Sequence, residues 1–250
     1  MEEQIKRRLL DLAAQSDRIG TFTFSPFLSE AEYADFCAVE RQLPPCGFTV
    51  WGGYPDAERV MIRFGNPERL GYEEPFPIVC LEIAPAQEKF ADALTHRDFL
   101  GALMHLGISR GELGDIPVSG KTGYLFCTEQ MAEYIGNTLE RVRHTTVRCS
   151  IVETLPETFN AQTVPETVQA ASLRADLLIA KVFHMSRSAC DSCFASEKVF
   201  VNGRAVSQPG MTLKEGDKVS VRGFGKFRFA GVSGQTRKGN LIVEIARFGN

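Results

Sequence analysis

Cys190 and Cys193 stand in a C-x-x-C spacing, which can serve a redox dithiol or half of a structural zinc site. Zinc needs a second ligand pair, and neither a Cys pair nor a His pair lies near this one in the sequence. A redox pair belongs at a helix start after a strand, whereas SRSACDSC reads as the body of a short helix, so both thiols are expected to pack. Thr95-His96-Arg97-Asp98, with Asp115 further on, offers groups for acid–base work. It lacks the Gly-rich loop and downstream Asn of a kinase catalytic loop, and Thr95 with Asp98 three residues later is the signature of a helix cap. SGKTG at 119–123 lacks the upstream Gly of a phosphate loop and reads as a turn; GFGKF at 223–227 lacks the full dinucleotide pattern. No nucleophile triad, acid–base pair or metal cluster emerges, so the chain reads as non-enzymatic, with no cofactor and no metal.

Charge is more informative than these motifs. The 250 residues carry a net charge of −3, but residues 172–250 hold 13 Lys+Arg against 6 Asp+Glu, and residues 1–171 hold 15 against 25. A basic module on an acidic body points to a polyanionic partner for that module. The acidic half leaves open a protein-docking surface. No window approaches eighteen consecutive apolar residues and the N-terminus has no signal-peptide core, so no membrane partner is expected. Seven scattered cysteines fit reduced thiols in a cytoplasm better than a disulfide framework.

The elements that must position the basic residues can be read from pattern. Within 1–75, Ile5, Leu9, Leu12 and Ala13 recur at helical spacing, Ser29 and Glu32 form a capping box, and FTVWGGYPDAERVMIRFG reads as two strands around a turn. Within 76–160, FPIVCLEIAP, YLFC and TTVRCSIVE are strands separated by helices that start near Thr95 and Thr128. That rhythm suggests a small sheet covered by two helices, ferredoxin-like or RNA-recognition-like. Residues 161–171, polar and Pro-containing, read as a linker. Within 172–250, a helix over 173–185 sets Arg174 and Lys181 on one narrow basic stripe. Ser188 and Asp191 are read as the cap of a second short helix, leaving Arg187 at its N-terminus, where unpaired N–H groups favour phosphate. Asp176 is expected to anchor a neighbouring Arg or a cap. Val199 and Val201 alternate with Lys198 and Phe200 before an Asn202-Gly203 hairpin turn, and LKEGDKVSVRG supplies a further strand. Lys198, Arg204, Lys218 and Arg222 decorate these strands and turns, and Lys226 and Arg228 extend the surface. Phe227 and Phe229 are expected to face the core. The fold class is α+β in three small units.

LRADLLIA, SRSACDSC and KVFVNGRAV followed by LKEGDKVSVRG resemble the RNA-binding domain first known in small-subunit ribosomal protein four, here called the S-four domain. With GFGKFRF and the middle run LTHRDFLGALMHLGISRGELGDI, the chain resembles the bacterial YlmH family, RNA-binding proteins linked to ribosome-associated quality control and cell division. The resemblance implies structured RNA (rRNA, tRNA) and the large ribosomal subunit as partners. It implies Arg174, Lys181, Arg187, Ser188, Lys198, Asn202, Gly203, Arg204, Lys218, Arg222, Lys226 and Arg228 as the RNA surface, with His96, Arg97 and Arg110 as a second one. The rival is an RNA-modifying enzyme of pseudouridine synthase type carrying an S-four domain, but no Gly-Arg-Leu-Asp-type catalytic strand is visible.

Overall fold

The computed structural model describes residues 2–153 and 163–248. The chain forms two compact units, Met1–Asn160 and Ala161–Asn250. Both mix helix and strand, so the protein is α+β.

The first unit opens with helix α1 (Glu2–Ile19), whose Leu9 and Ala13 fall one turn apart and are fully buried. They pack with Phe36 of α2 (Glu30–Val39) and with Ile62 and Phe64. The Ser29 capping box forms: the Ser29 amide donates to Glu32 Oε2 at 2.7 Å, and the Glu32 amide to Ser29 Oγ at 3.3 Å. Strands β1 (Thr23–Phe24), β2 (Phe48–Trp51) and β3 (Met61–Phe64) make an antiparallel sheet in the order β1-β3-β2, followed by the short helix α3 (Pro67–Leu70).

The rest of this unit runs β4 (Val79–Pro85), α4 (His96–His105), β5 (Val118–Ser119), β6 (Thr122–Cys127), α5 (Glu129–Thr138), β7 (Arg141–Val142) and β8 (Thr145–Val152). The strand–helix rhythm is as expected, and SGKTG is the expected turn. The sheet has the expected ferredoxin-like β-α-β-β-α-β arrangement, with the short strand β5 added between α4 and β6 and β7 at the far edge. Its order is β5-β6-β4-β8-β7, and β4 is antiparallel to both neighbours. The reason for the antiparallel β4–β6 pairing is local. Ser119 pairs with Thr122 across a two-residue turn, with Gly120 at φ +59, so the chain reverses once more after α4 and enters β6 against β4. Lys121 holds the turn down by donating to the carbonyls of Glu88 and Ala91, at 3.0 and 2.7 Å.

Both faces of this sheet are covered. Leu81, Ile83, Leu125 and Cys127 meet Phe99, Leu103 and Ile135 of the helices. Cys80, Tyr124 and Phe126 face the other way, where Tyr54 stacks on Phe126 with ring centroids 4.9 Å apart. Gly53 reaches Phe126 so closely that a Cβ would lie 2.2 Å from the ring, and its φ is +100. The Asp115 carboxylate, almost fully buried, accepts from Tyr54 Oη (2.8 Å) and from the amides of Glu58 (2.6 Å) and Arg59 (3.1 Å). The buried Arg59 guanidinium donates to the carbonyls of Leu113, Phe27 and Arg110. Asp115 is thus a structural tie between residues 54–59 and 110–115, rather than an acid poised in a cleft.

The second unit contains β9 (Thr163–Ala170), α6 (Ala175–Val182), α7 (Arg187–Ala195), β10 (Val199–Val201), β11 (Arg204–Ala205), β12 (Lys218–Val221), β13 (Gly225–Gln235) and β14 (Leu241–Phe248). They form one sheet in the order β11-β10-β12-β13-β14-β9. The linker expected over 161–171 is therefore corrected: 161–162 lie outside the described residues, and Thr163–Ala170 pairs residue for residue with β14. Pro165 is tolerated because β9 is an edge strand, where a missing N–H breaks no second ladder, and Val168 and Ala170 alternate into the core. Leu178, Ile179, Val182 and Phe194 cover one face of the sheet, formed by Val199, Val219, Phe227, Phe229 and Val243. Phe227 and Phe229 are core residues, as their alternation predicts.

Candidate nucleic-acid interface

The basic residues of the second unit sit on a frame set by two helix ends and one hairpin. Helix α6 is shorter than expected. It starts at Ala175, with Arg174 as N-cap in extended backbone (φ −67, ψ 139). Arg174 is therefore off the helix and shares no stripe with Lys181. Its guanidinium makes a two-point ion pair with Asp176, Nε to Oδ1 at 3.1 Å and Nη2 to Oδ2 at 2.8 Å, the anchoring role expected of Asp176. The α6 N-terminus is also closed, because Ala175 and Asp176 donate their amides to the carbonyls of Met211 and Pro209.

Lys181 is exposed in the last turn of α6. The cap of α7 is Ser186, not Ser188: Ser186 Oγ accepts from the Ala189 amide at 3.2 Å, and the Ser188 hydroxyl lies 3.1 Å from that of Ser186. Arg187 is then the first helical residue, exposed, at a terminus whose first amides have no acceptor inside the helix. Cys190 and Cys193 are both buried in the core of this unit, and burial chiefly pushes the Cys190 thiol up to about 11.

Asn202 and Gly203 form the tip between β10 and β11, at φ +49 and +74, and Val201 pairs with Arg204. The Asn202 amide group donates to Asp217 Oδ1 at 2.8 Å, and its Oδ1 accepts from the Lys218 amide at 2.9 Å. Its side chain is thus occupied in holding β10 to β12, while Gly203 is exposed at the tip. Lys198 and Arg222 are brought together at the other end of these strands, the Arg222 amide donating to the Lys198 carbonyl at 2.9 Å; both side chains are exposed. The sheet face away from the helices carries Lys218 beside Arg228 and Ser220 beside Lys226. Two aromatic partners on it were not singled out from sequence: Arg222 lies 4.4 Å over Phe200, and Lys226 and Arg228 lie 5.3 and 5.6 Å from the Phe248 ring. The signal for Phe200 was present, since it alternates with the buried Val199 and Val201. Arg204 stands on the exposed edge strand β11.

The second expected surface assembles only in part: His96 and Arg97 are exposed beside Arg110, whose guanidinium is engaged. Arg110 turns back on its own loop, Nη1 donating to the carbonyls of Gly114 at 3.0 Å and Leu113 at 3.3 Å. The protein packed around His96, and then the Arg110 guanidinium, push its imidazole pKa down. Thr95 and Asp98 form the expected capping box, the Thr95 amide and hydroxyl meeting Asp98 Oδ2 at 2.8 and 2.7 Å. Arg97 also lines a groove with Arg141 and Arg143.

Residues 72–155 match the family model described as "Putative RNA-binding domain in YlmH". The α+β chain therefore carries an RNA-binding domain of a recognised kind alongside a basic second unit. Over nearly its whole length it is similar to "Ribosome-associated protein quality control protein P2" of Bacillus subtilis (strain 168), with 30% identity over 251 residues, 97% of this chain and 95% of that one. The chain belongs to the YlmH family. Among solved structures it is similar to "Cell division protein ylmH from Streptococcus pneumoniae", with 19% identity and a TM-score of 0.48, over 64% of this chain and 93% of that one. Among the described residues, no helix is long and apolar enough to cross a membrane.

Proposed function

We propose that this protein binds structured RNA, ribosomal and transfer RNA on the large ribosomal subunit, without catalysing a reaction, as part of ribosome-associated quality control in the cytoplasm. Its C-terminal unit acts as the S-four-type domain that makes the main contact. The observation that carries this reading is the excess of 13 Lys+Arg over 6 Asp+Glu in residues 172–250, with Lys181, Arg187, Lys198 and Arg222 all exposed. Membership of a family that includes a ribosome-associated protein supports the ribosome as the place where that RNA is met.

Side chains of this kind contact phosphates and position the protein, while shape and the helix terminus select the site. The test is co-sedimentation with large ribosomal subunits across a salt series, comparing the intact chain with Lys181→Ala/Arg187→Ala/Lys198→Ala. If each cation meets one phosphate, removing three lowers the slope of log K against log salt by about 2–3. An unchanged slope refutes the assignment of this surface. Absence of any association by the intact chain refutes the ribosomal reading.

A further inference from the structure

An open groove of about 550 Å³ lies in the first unit, lined by Arg97, Asp98, His105, Glu140, Arg141 and Arg143 among others. One wall is α4; the other is the turn after α5 with the β7–β8 hairpin. Three arginines meet around it in a part of the chain, residues 1–171, where acids outnumber bases 25 to 15. Arg97 and Arg141 are exposed.

Asp98 offsets one of these charges only loosely. Its Oδ2 is taken by the Thr95 amide and hydroxyl, and its Oδ1 lies 3.7 Å from Arg143 Nη1, so it steadies one guanidinium at the groove wall. The backbone of Arg143 sets it at the tip of the hairpin that forms one wall. Val142 pairs with Thr145 across a two-residue turn, and Arg143 occupies it at φ +54, a region that suits glycine.

We propose that this groove holds backbone phosphates of RNA through Arg97, Arg141 and Arg143, as a second contact separate from the C-terminal unit. The inference rests on the RNA-binding reading above and names where the first unit takes part in it. Guanidinium forks match phosphate oxygens, and three arginines against Asp98 and Glu140 leave the groove with a positive excess for an anion to meet. The groove is open rather than enclosed, as a chain passing through requires.

The test is fluorescence anisotropy of the full-length protein with labelled transfer RNA over a salt series. Arg97→Ala/Arg141→Ala is expected to raise Kd by about tenfold or more, and to lower the slope of log K against log salt by about 1.4–1.8. Arg143→Gly is expected to raise Kd several-fold with no loss of melting temperature, because glycine accepts that backbone; weaker binding then cannot come from misfolding. The Lys181→Ala/Arg187→Ala/Lys198→Ala variant is measured alongside. If it loses affinity and slope while the groove variants match wild type, the groove proposal is overturned and the RNA-binding reading stands. If wild type binds no RNA, both are overturned. Displacement of the RNA by an equimolar amount of inorganic phosphate at constant ionic strength overturns the proposal in favour of a small-anion site.

Discussion

Replacing Asp115 by alanine tests whether the two sheets of the first unit are held as one body. The carboxylate receives Tyr54 Oη at 2.8 Å, the Glu58 amide at 2.6 Å and the Arg59 amide at 3.1 Å, and the residue is 9% exposed. Without it these donors lose their acceptor in a place water barely reaches. Counting only Tyr54 Oη and the Arg59 amide as fully orphaned, at roughly 1–3 kcal/mol each, the loss is about 2–6 kcal/mol. The neighbouring Arg59, buried and pushed down to about 10 mainly by burial, also loses a compensating charge. At about 2–4 °C per kcal/mol for a body of this size, the melting temperature of the unit falls by about 4–24 °C. Trp51 is the sole tryptophan of the chain and lies in β2, so its fluorescence follows this unit alone.

Tyr54→Phe supplies the control. It removes one of the three donors and is expected to cost about 1 kcal/mol in the wild-type background and to regain about 1–3 kcal/mol in Asp115→Ala, where the hydroxyl is otherwise orphaned. Asp115→Asn keeps one acceptor oxygen and should fall between wild type and alanine. Burial outweighs the three donors and raises the Asp115 pKa above the ordinary carboxylate value of 3.8, so native protein holds this proton more tightly than unfolded chain. Stability contributed by the group therefore falls as pH rises from 3.8 through the raised value, a slope the Asn variant lacks. An Asp115→Ala protein melting within about 2 °C of wild type, or a Tyr54→Phe cost equal in both backgrounds, refutes the tie.

Of the seven cysteines, Cys37 is exposed, Cys149 half-buried and the rest buried; burial raises Cys80 and Cys127 to about 12 and Cys149 and Cys190 to about 11. Iodoacetamide at pH 8 should therefore add one adduct by mass spectrometry on the native protein, at Cys37; rapid labelling of Cys190 or Cys193 would refute their packed role. Asp98, held below its ordinary carboxylate value by the Thr95 hydroxyl and amide, contributes stability that is present above 3.8 and lost as pH falls through the lowered value. A stability gap between wild type and Asp98→Asn should thus persist at pH 4 and narrow only in stronger acid; a gap independent of pH would remove the capping box as its source. Arg174→Ala should leave the salt dependence of RNA binding unchanged, because Asp176 already occupies its guanidinium, whereas Arg187→Ala lowers the slope by about 0.7–0.9. Equal effects of the two would contradict that distinction.

What the sequence disclosed was local. The Ser29–Glu32 and Thr95–Asp98 boxes, the cap at Thr128 and the Asn202-Gly203 turn each depend on residues two to four apart, and each forms. Alternation of Val199 with Phe200 and of Phe227 with Arg228 gives the buried and open faces of the second sheet. The failures involve partners distant in sequence. Nothing local marks Thr163–Ala170 as a strand, since its ladder is supplied by β14, some 80 residues on. Asp115 looks like a loop acid until residues 54–59, more than 50 positions earlier, arrive with three donors. The ferredoxin-like sheet was legible except for β5, which has only two residues before the reversal at Gly120 and so carries little weight in a helix–strand rhythm. The cap of α7 slipped by two residues because SRS offers two serines and only tertiary packing chooses between them.

The same distance effect decides which arginines can meet a phosphate. Arg59, Arg110 and Arg187 are alike in sequence, each a lone cation in a mixed segment. Arg59 spends its guanidinium on three carbonyls and Arg110 spends one nitrogen on two, because loops that end without a regular ladder leave carbonyls needing donors. Arg187 starts a helix, where the local need is for acceptors rather than donors, and so its side chain stays outside. Phosphate-binding capacity is what remains after the fold's own acceptors have taken their share. Arg174 leaves that remainder through its pairing with Asp176, but it takes an acid with it, so the excess of bases over acids in residues 172–250 is undiminished. The charge asymmetry read from the sequence therefore survives the loss of one of its expected contributors, and in the proposed RNA-binding reading the attraction for a polyanion passes to Lys181, Arg187, Lys198 and Arg222.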